Sequence, residues 1–88
     1  MAFNYHSDAA HGWLEVSKDD VLSVGLTSND FSRFSYYDGA GALFLEEDCD
    51  MPLFCKAYRK THGLEIKVRD LHTSAGCADH FIRSLASL

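Results

Sequence analysis

The residues with the most evident chemistry are four carboxylates in five positions, in the run Glu46-Glu47-Asp48-Cys49-Asp50. The run stands directly before a segment with helical spacing, so Asp48 or Asp50 could cap that helix while the other acids favour its dipole. A cap needs only one or two carboxylates, and four close together repel one another. Some of them could therefore dock on Arg or Lys of another protein. They could also hold Mg²⁺ or Ca²⁺, although the spacing and glycine of an EF-hand are absent.

A second candidate metal site combines imidazole and thiolate, the usual ligands of zinc, in the spacing His72-x4-Cys77-x2-His80. These residues supply three donors, with no fourth unless Cys49 or Cys55 comes close in the fold. A chain with five His and three Cys brings such residues together by chance. We therefore predict neither a metal nor another cofactor.

Catalytic motifs are absent from the sequence. Nucleophilic catalysis requires a nucleophile, an activating base and an orienting group, and no spacing in this chain defines such a set. GxSxG, the P-loop and GxGxxG do not occur, and Asp38-Gly39-Ala40-Gly41 precedes a strand rather than a phosphate-binding helix. We predict a protein that is not an enzyme.

Charge is divided unevenly along the 88 residues, whose net charge is -5. Residues 1–50 hold ten acids and two bases, whereas residues 51–88 hold three acids and six bases. The acidic total argues against nonspecific binding to nucleic acid or to an anionic membrane, since both need a basic surface. It favours a protein partner with a basic surface, and the basic half could also complement the acidic half of a second copy in a homodimer. The predicted partner-binding residues are Glu46, Glu47, Asp48, Asp50, Tyr36 and Tyr37.

The alternative to a protein-binding module is a regulatory protein that binds metal or nucleic acid. Tyr36, Tyr37 and Phe44 could stack bases on a sheet. The candidate anion-binding residues are Lys56, Arg59, Lys60, Lys67 and Arg69. Against this, the basic signature residues of an RNA-recognition motif are missing beside Phe44, and the acids at 46–48 would repel a phosphate backbone. If Tyr36, Tyr37 and Phe44 do not stack on bases, we expect them to pack in the core.

Hydrophobic periodicity and capping residues define the elements that must position these side chains. The predicted elements are a strand at 12–16, a helix at 17–25, a hairpin at 34–37 and 42–45, a helix at 51–62, a strand at 64–69 and a closing amphipathic helix at 78–88. This order matches the split βαβ plan of ferredoxin-like α+β domains, in which two helices cover one face of an antiparallel sheet. The last helix is then a C-terminal addition.

The chain is long enough for one domain only, which we place at residues 11–88. Residues 1–10 show no period and are predicted to be a flexible N-terminus. No apolar run could span a bilayer and no signal peptide is evident, so we predict a cytoplasmic protein. Cys49, Cys55 and Cys77 form an odd set without a CxxC pair, which indicates reduced thiols that pack as small apolar side chains.

Three runs also resemble a group of short bacterial proteins often encoded on plasmids, integrated elements and phages. They are His11-Gly12-Trp13-Leu14-Glu15-Val16, Phe34-Ser35-Tyr36-Tyr37 and Leu45-Glu46-Glu47-Asp48-Cys49-Asp50. The resemblance covers residues 11 to 72, and its motifs HGWLEV and LEEDCD carry no established chemistry. Small acidic proteins from such elements are often accessory or counter-defence factors, such as inhibitors of CRISPR effectors or restriction enzymes. The resemblance therefore implies an inhibitor that occupies a partner's surface.

Overall fold

The computed structural model describes residues 2–7, 11–32, 35–72 and 86–87, which form an α+β domain. Its elements in chain order are β1 (Ala2–Ser7), β2 (Gly12–Ser17), α1 (Lys18–Ser23), a 3-10 turn (Ser28–Asp30), β3 (Tyr36–Tyr37), β4 (Ala42–Glu46), α2 (Met51–His62), β5 (Lys67–His72) and β6 (Ala86–Ser87). No helix in the described part of the chain is long and apolar enough to cross a membrane.

Within the described residues the strands form one sheet in the order β5-β1-β2-β4-β3-β6. All neighbours are antiparallel except β1 and β5, which run parallel, so the sheet is mixed and not antiparallel as predicted. In a ferredoxin-like sheet the strand before the first helix would lie directly beside the strand after the second. Here β1 lies between those two strands, β2 and β5.

The strand β1 corrects, for Ala2–Ser7, the prediction that residues 1–10 are a flexible N-terminus; the other residues of that range lie outside the described ones. It is hydrogen-bonded on both sides, from Tyr5 to Ser7 with β2 and along its whole length with β5. Phe3 is buried against α2 and Tyr5 packs on the same core. The alternation of Phe3 and Tyr5 with Asn4 and His6 is the period-two signal of a strand, but it is too short to be distinctive without the neighbouring strands.

The first helix begins where the sequence predicts. Ser17 is its N-cap, and the Ser17 hydroxyl accepts a hydrogen bond from the Asp20 amide while the Asp20 carboxylate accepts one from the Ser17 amide, each at 2.9 Å. This reciprocal capping box satisfies two amides that a helix start leaves without partners. Val21 from this helix is buried in the core.

The predicted hairpin is also present, with β3 paired to β4. The Asp38 carboxylate accepts hydrogen bonds from the amides of Ala40 at 2.7 Å and Ala42 at 3.1 Å, which closes the turn. Gly39 and Gly41 have φ values of 81° and 106°, a region that side chains with a Cβ rarely adopt. An Asp followed by glycines is thus sufficient to encode this turn locally.

The second helix has the predicted C-terminal end but not the predicted N-cap. Gly63 adopts φ 74° and its amide donates to the carbonyl of Arg59 at 2.8 Å. At the other end, Asp50 occupies the N-cap position without a capping hydrogen bond from its side chain. The prediction that Asp48 or Asp50 caps the helix is therefore wrong, because the Asp50 carboxylate binds elsewhere.

Both helices pack on one face of the sheet. Phe54 from α2 meets Phe3 edge to face with ring centroids 5.6 Å apart, and Val21 from α1 belongs to the same buried cluster. The sheet residues of this cluster are Phe3, Leu14, Val16, Leu43 and Leu45. The opposite face has its own buried pair, Trp13 and Phe44. Because the central strands β2 and β4 are buried on both faces, they read as nearly continuous apolar runs.

The C-terminal part of the prediction is revised. The strand predicted at 64–69 is found at Lys67–His72, and Leu64 and Val68, expected to be buried, are 55% and 48% exposed. Most of the predicted helix at 78–88 lies outside the described residues. Ala86–Ser87, however, pair with β3 as a strand, so the helix does not extend through them.

Candidate functional site

The two sequence motifs, HGWLEV and LEEDCD, meet side by side in the sheet. Trp13 of β2 lies opposite Glu46 of β4, and Leu14 lies opposite Leu45. The contact continues beyond the strand, because the Glu47 amide donates to the Gly12 carbonyl at 3.0 Å. The acidic run therefore leaves β4 at the end of the sheet where β2 begins.

Tyr5 of β1 stabilises this junction through a hydrogen bond. Its hydroxyl donates to Oε2 of Glu47 at 2.6 Å, across 42 residues of sequence. To reach Glu47 the ring passes over Gly12, where an added Cβ would lie 1.9 Å from the Tyr5 hydroxyl oxygen and 2.4 Å from Cζ. Gly12 is required here by this close approach, since no atom larger than hydrogen fits beneath the ring.

The surroundings of Tyr5 raise its pKa strongly. Burial contributes most, the hydrogen bond to Glu47 comes next, and the negative charges of Glu47, Asp70 and Asp48 add to both. All of these disfavour a phenolate, because ionisation would place a fourth negative charge among three carboxylates. Tyr5 therefore remains a hydrogen-bond donor well into alkaline solution.

Folding stability is expected to fall as the pH rises above 10, the ordinary pKa of tyrosine, because Tyr5 ionises in the unfolded chain before it ionises in the folded one. Its stabilising contribution is complete below that pH and disappears as the pH approaches the raised pKa. In the Tyr5→Phe variant this component of the decline should be absent. Urea unfolding of both proteins at a series of alkaline pH values tests this. Parallel declines would show that Tyr5 is not responsible.

The Glu46 side chain binds the backbone of the turn that follows it, between β4 and α2. It is 9% exposed, and its Oε2 accepts hydrogen bonds from the amides of Asp48 at 2.9 Å and Cys49 at 2.8 Å. These amides have no carbonyl partner within the turn, so the carboxylate replaces the missing backbone acceptor. Glu46 shapes the turn before α2, and its side chain is not available to a partner.

Asp50 is 3% exposed and holds the segment before β3. Its carboxylate accepts hydrogen bonds from the Ser32 amide at 2.9 Å, from the Ser32 hydroxyl at 2.7 Å and from the Ser35 hydroxyl. The Ser35 hydroxyl also accepts from the Glu46 amide at 2.9 Å. Residues 32, 35, 46 and 50 thus form one continuous polar network that joins the loop, β4 and the start of α2.

The remaining acids form a surface that we call the acidic corner, consisting of Glu47, Asp48 and Asp70. Asp48 and Asp70 are exposed and Glu47 is half-buried. Asp70 lies opposite Tyr5 in the parallel β1–β5 ladder, which brings it to the same place as the acidic run. Within the described residues, no Lys or Arg nitrogen lies within 4 Å of these three carboxylates. The corner is therefore a negative surface without a cationic partner among the described residues.

Glu46, Glu47 and Asp48 could each offer one oxygen to a metal, because these oxygens lie within 4.8 Å of one another. Two of the three carboxylates already accept short hydrogen bonds from the Tyr5 hydroxyl and from turn amides. A divalent cation would have to compete with those donors. Of the candidate zinc ligands weighed above, His72 ends β5, and Cys77 and His80 lie outside the described residues.

The aromatic residues proposed for contact do not form a common surface. Tyr36 and Tyr37 are adjacent in β3 and point to opposite faces, where Tyr36 packs on Trp13 and Tyr37 packs on the main core. Lys18 also lies over the Tyr37 ring, with Nζ 4.7 Å from its centroid. Phe44 is 4% exposed. A base-stacking platform of these three rings, as in the nucleic-acid alternative, is therefore not formed.

The five candidate anion-binding residues fall into two groups. Lys56, Arg59 and Lys60 line one open groove on α2. Lys67 and Arg69 instead lie on β5, opposite Ala2 and Asn4, and they do not line that groove. The basic segment of the sequence is thus not one continuous basic surface.

Cys49 and Cys55 are free thiols, and the prediction that they are buried is wrong for Cys49, which is exposed. The pKa of Cys49 is raised, first by its hydrogen bond to Glu46 and further by the neighbouring acids. Burial raises the pKa of the half-buried Cys55. Since the thiolate is the nucleophile, neither residue is activated for thiol chemistry.

Sequence patterns did not indicate Tyr5, Gly12, Asp70, Ser32 and Ser35 as parts of this junction. Only the Gly12 position carried a signal, as a glycine within a strand pattern, which often marks a close approach of another group. The chain matches no protein-family model, no curated protein and no solved structure.

Proposed function

We propose that this chain is a small non-enzymatic binding module that docks its acidic corner on a basic surface of another protein. The observation that carries the proposal is the charge of Glu47, Asp48 and Asp70, which two distant segments bring together around Tyr5 and which no Lys or Arg of the described residues pairs with. Charge of this kind on a hydrogen-bonded support sets the orientation and the association rate of a complex.

The structure changes which acids are proposed to contact the partner. Glu46 and Asp50 are buried and hydrogen-bonded, so they support the corner and do not touch the partner. Asp70 takes their place, although it lies in the basic half of the sequence. Tyr36 and Tyr37, which pack within the domain, are not included in the proposed contact.

The partner class follows from the resemblance to mobile-element proteins. CRISPR effectors and restriction enzymes bind nucleic acid and therefore carry basic surfaces. An acidic corner that occupies such a surface would block access of the nucleic acid, which is counter-defence activity in the cytoplasm. In this proposal the protein needs no metal or other cofactor.

The sequence predicts a specific fold relationship, to the ferredoxin-like domains, and the strand order supports it once β1 is set aside. Without β1, the order β5-β2-β4-β3 and the strand directions are those of a split βαβ sheet, and both helices contribute to the same buried cluster. We propose that the domain is a ferredoxin-like unit into which the N-terminal strand has been inserted.

The test of the function is a comparison of two variants with equal charge. Asp48→Asn/Asp70→Asn removes two charges from the corner and leaves the Tyr5–Glu47 hydrogen bond. We expect binding to a partner captured from the host cell to weaken on the order of tenfold, as rim charges mainly affect association. Surface plasmon resonance measures both affinity and association rate.

The matched control is Asp19→Asn/Asp38→Asn, which removes two exposed acids near the opposite end of β4. Asn at position 38 still accepts the hydrogen bonds of the turn. Equal weakening by both pairs would assign the effect to net charge and contradict a specific corner. Unchanged binding of the corner variant would contradict the proposal directly.

A further inference from the structure

An open groove of about 720 Å³ lies along α2, and none of its lining residues belongs to the acidic corner. It is lined by Pro52, Cys55, Lys56, Arg59, Lys60 and Glu65. Three cations therefore face one carboxylate. The single ion pair among these residues joins Nε of Arg59 to Oε1 of Glu65 at 3.4 Å, with both side chains about 70% exposed.

Lys56 and Lys60 have no carboxylate within 4 Å in the described part of the chain. They stand four residues apart on the helix, where like charges repel each other. Leu53 and Leu64 are 38% and 55% exposed, so α2 and the segment after it also present apolar surface to solvent. Unmatched cations beside exposed apolar side chains favour an acidic protein surface as the occupant.

We propose that the occupant is the acidic corner of a second copy of this chain, so that copies associate head to tail. Both surfaces carry unmatched charge of opposite sign. Within the described residues of one molecule, no carboxylate of the corner lies within 4 Å of a cation of the groove. Along α2, Lys60 stands about 15 Å from Asp50, where the acidic run ends. When the corner of one copy docks in the groove of the next, the negative charges of the corner pair with the positive charges of the groove.

In an open head-to-tail assembly, which is neither a two-fold dimer nor a ring, one corner and one groove stay unoccupied at the ends. The association is therefore reversible and depends on concentration, and salt weakens it because the charges are exposed. A corner that is seated in a neighbouring groove is unavailable to a partner. Self-association and partner binding then compete for the same three acids.

Sedimentation velocity of the full chain over a range of concentrations and salt tests this inference. At low salt the mean mass should rise with concentration, and at high salt the association should weaken on the order of tenfold. The groove variant Lys56→Gln/Lys60→Gln and the corner variant Asp48→Asn/Asp70→Asn should each remain monomeric. A wild-type protein that is monomeric at every concentration and salt would overturn the inference.

Mixing the two variants is the decisive experiment. The corner variant keeps an intact groove and the groove variant keeps an intact corner, so together they should form a capped one-to-one dimer and nothing larger. The Asp19→Asn/Asp38→Asn control should associate like the wild type. No dimer in the mixture, or association of the groove variant alone, would overturn head-to-tail docking.

The groove variant also separates this inference from the proposed function, because the partner is proposed to contact only the corner. It should bind the partner as tightly as the wild type, or more tightly once self-association is lost. Binding of a labelled single-stranded oligonucleotide tests the remaining alternative, in which the groove binds nucleic acid. If it binds the wild type but not the groove variant, and copies do not associate, the groove belongs to nucleic acid and self-docking is wrong.

Discussion

The Asp50→Ala variant is expected to lose about 3 kcal/mol of folding free energy, the largest effect of any single substitution in the acidic run. The substitution leaves the Ser32 amide and the hydroxyls of Ser32 and Ser35 without their acceptor in a buried place. A buried donor that loses its partner costs more than an exposed hydrogen bond contributes. Urea unfolding followed by circular dichroism measures the change.

Asp48→Ala is the matched control for Asp50→Ala. Asp48 is exposed, and its carboxylate makes no hydrogen bond with the described residues, so Asp48→Ala should change the stability by no more than about 0.5 kcal/mol. Equal losses for the two variants would mean that negative charge, and not the serine network, determines the stability of the junction.

Gly12→Ala is expected to lower the folding free energy by about 2 kcal/mol, even though a strand normally tolerates Ala better than Gly. The new methyl group would overlap the Tyr5 hydroxyl and Cζ, which forces the ring away from Glu47. Thermal and urea unfolding would measure the loss. The corner should weaken with it, because Tyr5 holds Glu47 in position.

A double-mutant cycle with Tyr5→Ala isolates the cause of the Gly12 effect. Tyr5→Ala itself destabilises the core, but it removes the ring that the methyl group would meet. In that background Gly12→Ala should be neutral or slightly stabilising, because Ala loses less backbone entropy on folding than Gly. A loss that persists without the Tyr5 ring would contradict the steric explanation.

Gly12 and Asp50 each have a structural role that accounts for their place in the motifs HGWLEV and LEEDCD. Gly12 gives Tyr5 room to cross β2, and Asp50 anchors the segment before β3. Glu46 satisfies the turn amides between them. Much of the conspicuous acidic run therefore serves the architecture of the junction, and the charge that reaches solvent is carried by fewer residues than the sequence indicates.

The local elements could be predicted because their determinants lie within a few residues of one another. Ser17 and Asp20 encode the start of α1, Asp38 and its glycines encode the hairpin turn, and Gly63 encodes the end of α2. Each depends on a side chain that bonds a nearby backbone group or on a backbone angle that only glycine adopts without strain. The α+β class follows from the order of these elements.

Only the tertiary structure decided which residues share the junction. Strand pairing depends on burial and on contacts between distant segments, so the sequence could not indicate that Ala2–Ser7 inserts beside β5 or that Asp70 joins the acids of β4. Pattern alone likewise cannot separate a buried carboxylate with serine partners from an exposed one. The sequence by itself determined where the negative charge is concentrated. The fold determined that Glu46 and Asp50 are structural, and that the half-buried Glu47 lies with the exposed Asp48 and Asp70 around Tyr5.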